Sequence, residues 1–224
     1  MAGKLLVVAT PIGHLDDLSP RARAALAEAD LIACEDTRRT GRLLAHLGLD
    51  TRMLSMHDHN ERRRVPQLVE ALEQGLTLAV VSDAGTPLIN DPGFPLVREA
   101  VARGLPVEAI PGPSAILAAL VASALPPYPF TFCGFAPPKT KKRRAFYRQF
   151  GGLGHTLVLF ESPHRLIASL ADARSELGER RAAVCRELTK LHEEVLRGEL
   201  GALHAELAGR PSIRGEIVLV IAGS

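Results

Sequence analysis

The chain has 224 residues, 46% hydrophobic and 23% charged, which allows one large or two small domains whose core needs no metal or disulfide staple. Its three scattered cysteines, Cys34, Cys133 and Cys185, exclude a disulfide framework and a cysteine-built zinc site, and they suit a reducing cytosol. A net charge of +2 with 4% aromatics and no Trp permits a nucleic-acid partner but excludes a surface that stacks many bases.

Apolar runs alternate with amphipathic stretches, the pattern of an α/β fold. Residues 4–9 (KLLVVA) read as a buried strand, too short for a signal-peptide core or a membrane span. Ser19-Pro20 caps and opens a helix to about residue 29. Residues 31–34 form a second short strand. Thr37 is placed to cap a helix ending before Gly48, and Asn60 to cap another ending before Gly75. Residues 76–81 (LTLAVV) are the strongest strand of the first half. Asp91-Pro92 repeats the cap-before-proline pattern for a helix that stops at Gly104. A strand at 107–110 leads to Pro111-Gly112-Pro113 and a small-residue helix over 114–124. Pro126, Pro127 and Pro129 mark a hinge at 125–130. Then come a strand at 130–134, a basic helix, a strand at 156–160, a helix capped by Ser162-Pro163, and a strand at 182–186. A short helix near 199–208 and a strand at 216–222 close the chain. The expected architecture is two α/β domains, 1–124 and 125–224, with a cleft between them.

Several motifs are excluded. No GxxxxGK[ST] is present, so there is no P-loop. Gly151-Gly152-Leu153-Gly154 follows a helix and precedes a strand, the wrong order for a dinucleotide turn. Gly112-Pro113-Ser114-Ala115-Ile116 lacks the second glycine of a nucleophile elbow. Ser114 reads instead as a helix cap whose backbone amides could face a ligand. His57 and His59 have no third ligand in register, so MHDHN reads as a polar loop.

Three segments describe a pocket. After the strand ending at Val81 stands Ser82-Asp83-Ala84-Gly85-Thr86-Pro87. A buried strand delivers an acidic residue into a tight loop at its carboxyl end, where open α/β sheets bind ligands. Small residues let a ligand approach the backbone closely. Asp83 is the residue to attract an ammonium-bearing ligand, whereas Asp91 reads as a helix cap. Thr10-Pro11-Ile12-Gly13 and Pro111-Gly112-Pro113-Ser114-Ala115 also end strands. If these strands are parallel neighbours, the three loops converge on one rim.

Charge marks two more segments. Residues 137–148 hold six basic residues, Lys139, Lys141, Lys142, Arg143, Arg144 and Arg148, and no acidic one. Nothing acidic nearby in sequence neutralises them, so phosphate contact weighs equally with a solvated helix face. Arg38 and Arg39 with Arg42, and Arg62-Arg63-Arg64, could widen the basic surface. Glu161, Glu187 and Lys190 all lie at or just beyond apolar strands of the second half, where catalytic groups facing a cleft belong.

In order along the chain, VATPIGHLDDLS, EDTR, SDAGTPLINDPG, PGPSA, FCGFAPPK, FESPHR and RELTKLHEE resemble the ribosomal RNA small subunit methyltransferase I family, of the tetrapyrrole-methylase fold class. The resemblance spans nearly the whole chain. It implies S-adenosylmethionine-dependent 2′-O-methylation of a cytidine in the decoding region of 16S rRNA. It also implies a cytoplasmic homodimer acting on 16S rRNA or the small ribosomal subunit; the transfer itself requires no metal, and no membrane partner is expected. By similarity, the cofactor should touch Pro11, the loop Ser82, Asp83, Ala84, Gly85 and Thr86, then Ser114 and Ala115, with Glu161 and Leu188 from the second half. Many family members continue past the final strand, whereas this chain ends at Ser224, so the basic segment and the dimer are expected to suffice for gripping RNA. A ribose hydroxyl is a poor nucleophile and needs a base or a stabilising cation. Lys190, Glu187 and Glu161 are the candidates, with no choice made among them. The alternative function is methyl transfer to a tetrapyrrole or another small molecule. A non-enzymatic RNA-binding protein is the rival from another class.

Overall fold

The computed structural model describes residues 3–224. It divides into two compact units, 1–114 and 115–224. The division falls ten residues ahead of the expected 124–125.

The first unit alternates strands and helices: β1 (Leu5–Val8), α1 (Pro20–Glu28), β2 (Leu31–Cys34), α2 (Thr37–Leu47), β3 (Met53–Ser55), α3 (Glu61–Glu73), β4 (Leu78–Val81), α4 (Phe94–Ala102) and β5 (Val107–Ile110). The strands form one parallel sheet in the order β3-β2-β4-β1-β5. A sheet buried on both faces needs apolar side chains on both, and alternate residues supply them. Leu6, Val8, Ile32, Cys34, Ala79 and Val81 pack with α1 and α2. Leu5, Ala33, Leu78 and Val80 pack with α3 and α4 on the opposite face. The helices leaving β1 and β2 therefore cover one face, and those leaving β3 and β4 the other. β4 lies between β2 and β1, so a change of face occurs on each side of it. Such switch points open crevices at the carboxyl ends of the strands.

The second unit holds α5 (Ala115–Ala122), β6 (Phe130–Phe135), α6 (Thr140–Phe150), β7 (Thr156–Glu161), α7 (Leu166–Leu177), β8 (Arg181–Arg186), β9 (Glu194–Glu199), α8 (Leu200–Ala208) and β10 (Ile217–Ile221). Its mixed sheet runs β6-β7-β10-β8-β9, with β6 and β7 parallel and the remaining pairs antiparallel. Leu157, Leu159, Leu219 and Ile221 share a core with Tyr147, Leu170 and Leu203 of α6, α7 and α8.

Three expected caps are corrected. Asp36, not Thr37, caps α2, because its carboxylate accepts from the Arg38 amide at 2.8 Å. Gly93, not Asp91, precedes α4. It sits at φ +120°, where a Cβ would meet Leu88 Cδ2 at 2.7 Å. α7 begins at Leu166, beyond Ser162-Pro163, which form a turn with no side-chain cap. Asn60 precedes α3 as expected, but its carboxamide accepts from the His57 amide instead of capping the helix. Two strands escape the sequence pattern, β3 and β9, and both are sheet edges.

Candidate active site

The five parallel strands of the first unit deliver their carboxyl ends to one edge. Three of the loops there are tied together. Thr10 and Gly85 exchange backbone hydrogen bonds at 2.9 and 3.0 Å. The Thr10 hydroxyl donates to the Ser82 carbonyl at 3.4 Å, and the Thr86 hydroxyl to the Pro113 carbonyl at 3.1 Å. Gly85 lies at φ +81°, and a Cβ there would press on Ile12 Cγ2 at 3.2 Å. A Cβ on Gly112 would meet that of Ala9 at 3.0 Å. Small residues are therefore what allow the loops after β1, β4 and β5 to close on one another. The structure brings the Thr10-Pro11 turn, Ser82–Thr86 and the turn before Ser114 into one rim, whereas Ala115 opens α5 in the second unit.

A fourth loop joins this rim, one for which the sequence reading named no site residue. The acidic pair Glu35-Asp36 leaves β2 directly. The Asp36 amide donates to Asp83 Oδ1 at 3.1 Å, and Arg39 reaches Asp83 Oδ2 at 3.4 Å. Asp83 thus locks β4 to the neighbouring loop while one quarter of its side chain stays exposed. Hydrogen bonds from Arg38 hold Asp36 down at about 2. Two other carboxylates move the opposite way. Burial foremost, then the charge of Asp83, raises Glu35. Burial, then the charge of Glu35, pushes Asp91 up to about 6 against a hydrogen bond with Ser82. Carboxylates that raise one another mark a place where a cation is favoured.

The second unit has its own rim. Ile217 stands opposite both Glu161 and Arg186, and Arg186 opposite Glu194. The ends of β7 and β8 and the starts of β9 and β10 therefore coincide. Lys190 Nζ donates to Glu187 Oε1 at 2.9 Å and lies 3.0 Å from Glu216 Oε2. Glu187 Oε1 also accepts from the Glu216 amide at 2.8 Å. Burial alone would lower the Lys190 pKa, but the bonds to Glu187 and Glu216 outweigh it and hold the ammonium above its ordinary range. Burial works to raise Glu187, yet the Glu216 amide and Lys190 bring it below the usual carboxylate range. Lys190 is charged at neutral pH. The turn is strained, with Glu187 at φ 53° and Thr189 at φ 64°. Non-glycine residues keep such angles where surrounding bonds dictate them, and they cluster at functional sites. Leu188 between them is buried.

Glu161 does not share this surface. It falls in step with Leu157 and Leu159, whose side chains face the helices. It is 3% exposed. Its Oε1 accepts from the Ser162 amide at 2.7 Å and from Arg165 at 3.2 Å, while Oε2 is buried without a partner. Its role there is to fix the turn after β7. Glu216 and Gly215 are site residues that sequence reasoning missed. The only signal for them was an acidic residue and a glycine directly before the apolar run of β10.

A family model described as Tetrapyrrole (Corrin/Porphyrin) Methylases matches residues 4–204. "Ribosomal RNA small subunit methyltransferase I" of Mycobacterium tuberculosis (strain ATCC 25618 / H37Rv) is 49% identical, covering 100% of this chain and 79% of that protein. The protein of the same name from Pseudomonas aeruginosa is 47% identical, covering 99% and 79%. The chain belongs to the ribosomal RNA small subunit methyltransferase I family. Among solved structures it is similar to the methyltransferase CobJ, with a TM-score of 0.74 at 22% identity over 100% of this chain and 95% of that one. It is also similar to diphthine synthase, with a TM-score of 0.72 at 16% identity over 98% and 90%. Those two likenesses show the fold alone.

The expected basic surface of this family member is smaller than its sequence suggests. Arg143 is 3% exposed and pairs with Asp172 at 2.7 Å, with a further bond to the Pro138 carbonyl at 3.0 Å. Arg144 and Arg148 both bind Glu176. Asp172 and Glu176 lie one turn apart on α7, which packs along α6. The neutralising acids are thus about thirty residues away in sequence and adjacent in space. Arg143 leaves the candidate RNA surface, and Lys139, Lys141 and Lys142 remain exposed on it. Arg38 and Arg39 are exposed but engaged with Asp36 and Asp83. No helix among the described residues is long and apolar enough to cross a membrane.

Proposed function

We propose that this chain transfers a methyl group from S-adenosylmethionine to the 2′-oxygen of a cytidine in the decoding region of 16S rRNA, in the cytoplasm and as a homodimer. Family membership supplies the ribosomal RNA methyltransferase chemistry. The single observation that carries transfer to a hydroxyl oxygen is the charged Lys190, held on two carboxylates in a strained turn.

The first rim fits the cofactor. Its glycines and alanine leave backbone approachable, and Asp83, Glu35 and Asp91 suit a ligand bearing an ammonium and a sulfonium. Pro11, Ser82–Thr86 and Ser114 would hold it. Bound S-adenosylmethionine supplies the methyl group on a positively charged sulfur. Asp83 orients the rim through Asp36 and Arg39. Lys190, protonated, stabilises the alkoxide that develops as the hydroxyl loses its proton. Glu187 keeps that ammonium in place and charged, and the hydroxyl proton passes to solvent. Glu161 acts indirectly, by fixing the turn through Ser162 and Arg165. Lys139, Lys141 and Lys142 contact phosphate. Val121 and Tyr128, both more than four-fifths exposed, are apolar surface that a second copy would cover.

The test is mass-spectrometric mapping of small-subunit rRNA from cells lacking the protein, followed by in vitro restoration. One missing ribose methyl on a decoding-region cytidine, restored by the purified chain and S-adenosylmethionine, is expected. An unchanged map, or transfer to a porphyrinogen in its place, would refute the reading.

A further inference from the structure

The second unit carries an open groove of about 390 Å³ that the proposed mechanism does not use. Ile167 of α7, Leu207 of α8 and Ile213 line it with apolar surface, and His164, Arg210 and Arg214 line it with polar groups. The volume lies within the range of small-ligand sites. The cationic groups are not equivalent. Arg210 is held by Glu194 at 2.8 and 2.9 Å and by Glu206 at 3.0 Å, so its charge is neutralised. Arg214 is exposed, and its side chain has no carboxylate partner among the described residues. His164 is also exposed. An apolar floor beside an uncompensated guanidinium suits a ligand with a flat, weakly polar face and a negative charge.

The placement narrows the choice of ligand. The wall containing Ser212, Ile213 and Arg214 runs directly into Gly215 and Glu216, and Glu216 holds Lys190 at 3.0 Å. The wall containing Pro163 and His164 follows Glu161 at the same sheet end. Both walls therefore grow from the strand ends beside the turn that carries Lys190. Resting on the proposed RNA methyltransferase function, we infer that this groove receives a nucleotide flanking the methylated one. Its base lies over Ile167 and Ile213, and its phosphate meets Arg214 and His164.

The experiment uses small ribosomal subunits from cells lacking the protein. Wild type is compared with Arg214→Ala, Arg214→Glu and, as a control on exposed charge elsewhere, Arg98→Ala. Filter binding over a salt series reads RNA affinity without catalysis. Arg214→Ala is expected to flatten the logarithmic salt slope by about 0.7–1, one phosphate contact, and to raise KM about 5–10-fold with kcat unchanged. Arg214→Glu should weaken binding further, and Arg98→Ala should match wild type. Calorimetric affinity for S-adenosylmethionine should be the same in all four. Cross-linking with 4-thiouridine-substituted subunits should label the peptide 207–214. An unchanged slope and KM in Arg214→Glu, or cross-links confined to other peptides, overturns the groove assignment. Wild type that binds subunits through the groove but transfers no methyl overturns the proposed function and leaves the groove standing.

Discussion

Arg143 separates a structural cation from an RNA-binding one. Its guanidinium is 3% exposed and its partner Asp172 only 13%. Deleting one member of such a pair leaves a buried charge uncompensated, a loss of about 3–5 kcal/mol. Arg143→Ala should therefore destabilise the second unit by that amount. Replacing both partners, Arg143→Met with Asp172→Leu, should recover most of it, because no unpaired charge is left inside. The assay is built into the sequence: the chain lacks Trp, and its two tyrosines, Tyr128 and Tyr147, both lie in the second unit. Tyrosine fluorescence during urea denaturation thus reports that unit alone. Under conditions where each variant is folded, the salt slope of RNA binding should be unmoved by Arg143→Ala and flattened by Lys141→Ala with Lys142→Ala. An Arg143→Ala variant within 1 kcal/mol of wild type that flattens the slope would show the guanidinium facing RNA and refute the reasoning.

Lys190→Met should lower kcat by about 10²–10³, the loss typical of one oxyanion donor, with cofactor affinity unchanged by calorimetry and partial recovery in Lys190→Arg. Because the Lys190 pKa is raised, its charge persists, and a rate that falls between pH 7 and 9 would count against the stabiliser role. Gly215→Ala brings a Cβ into Glu187 at a φ of +98° and should lower kcat more than it raises KM for the subunit. Asp83→Ala should weaken cofactor binding, since it releases both Arg39 and the loop after β2; unchanged calorimetric affinity in a folded protein would misplace the rim. Asp91 binds its proton more tightly when folded, so the stability it contributes is full below pH 3.8 and lost as pH rises through about 6. At roughly 1.4 kcal/mol per tenfold change in proton affinity, Asp91→Asn should gain about 1–3 kcal/mol at pH 7.5 and little at pH 4. Hydrogen exchange of the β4 amides reads the difference, and an equal gain at both pH values would reject the raised pKa.

How much of this was legible depends on whether a signal was local. Four-residue strands such as LLVV and LAVV are buried on both faces, so their runs stand out without any periodicity. β3, MLS, is three residues long and only partly buried. β9, EVLRGE, sets only two apolar residues, Val195 and Leu196, among three charged ones and a glycine. Both are sheet edges, which stay short or charged because an apolar edge would recruit other chains. The composition that protects an edge is also what hides it from sequence reading. Caps were misplaced by a residue or more for a related reason. Asp36 and Thr37 both have capping side chains, and only backbone geometry selects between them.

The site divides along the same line. The first rim was readable because it is built from backbone: glycines, prolines and small residues are required wherever loops close on one another, and they mark the sequence whatever lies across the gap. The second rim and the basic helix depend on charge pairing, which folding decides. Arg143 looked free because Asp172 arrives from another helix, and Lys190 looked able to become a base because Glu216 arrives from another strand. In each case the same long-range carboxylate changes both where the cation points and what chemistry is open to it. A cation counted from sequence is thus a candidate for nucleic-acid contact only after the acids on adjoining elements are placed. In this chain that leaves Lys139, Lys141, Lys142 and Arg214, with Arg42, Arg62 and Arg63, exposed and unpaired among the described residues, as the cations to test against RNA.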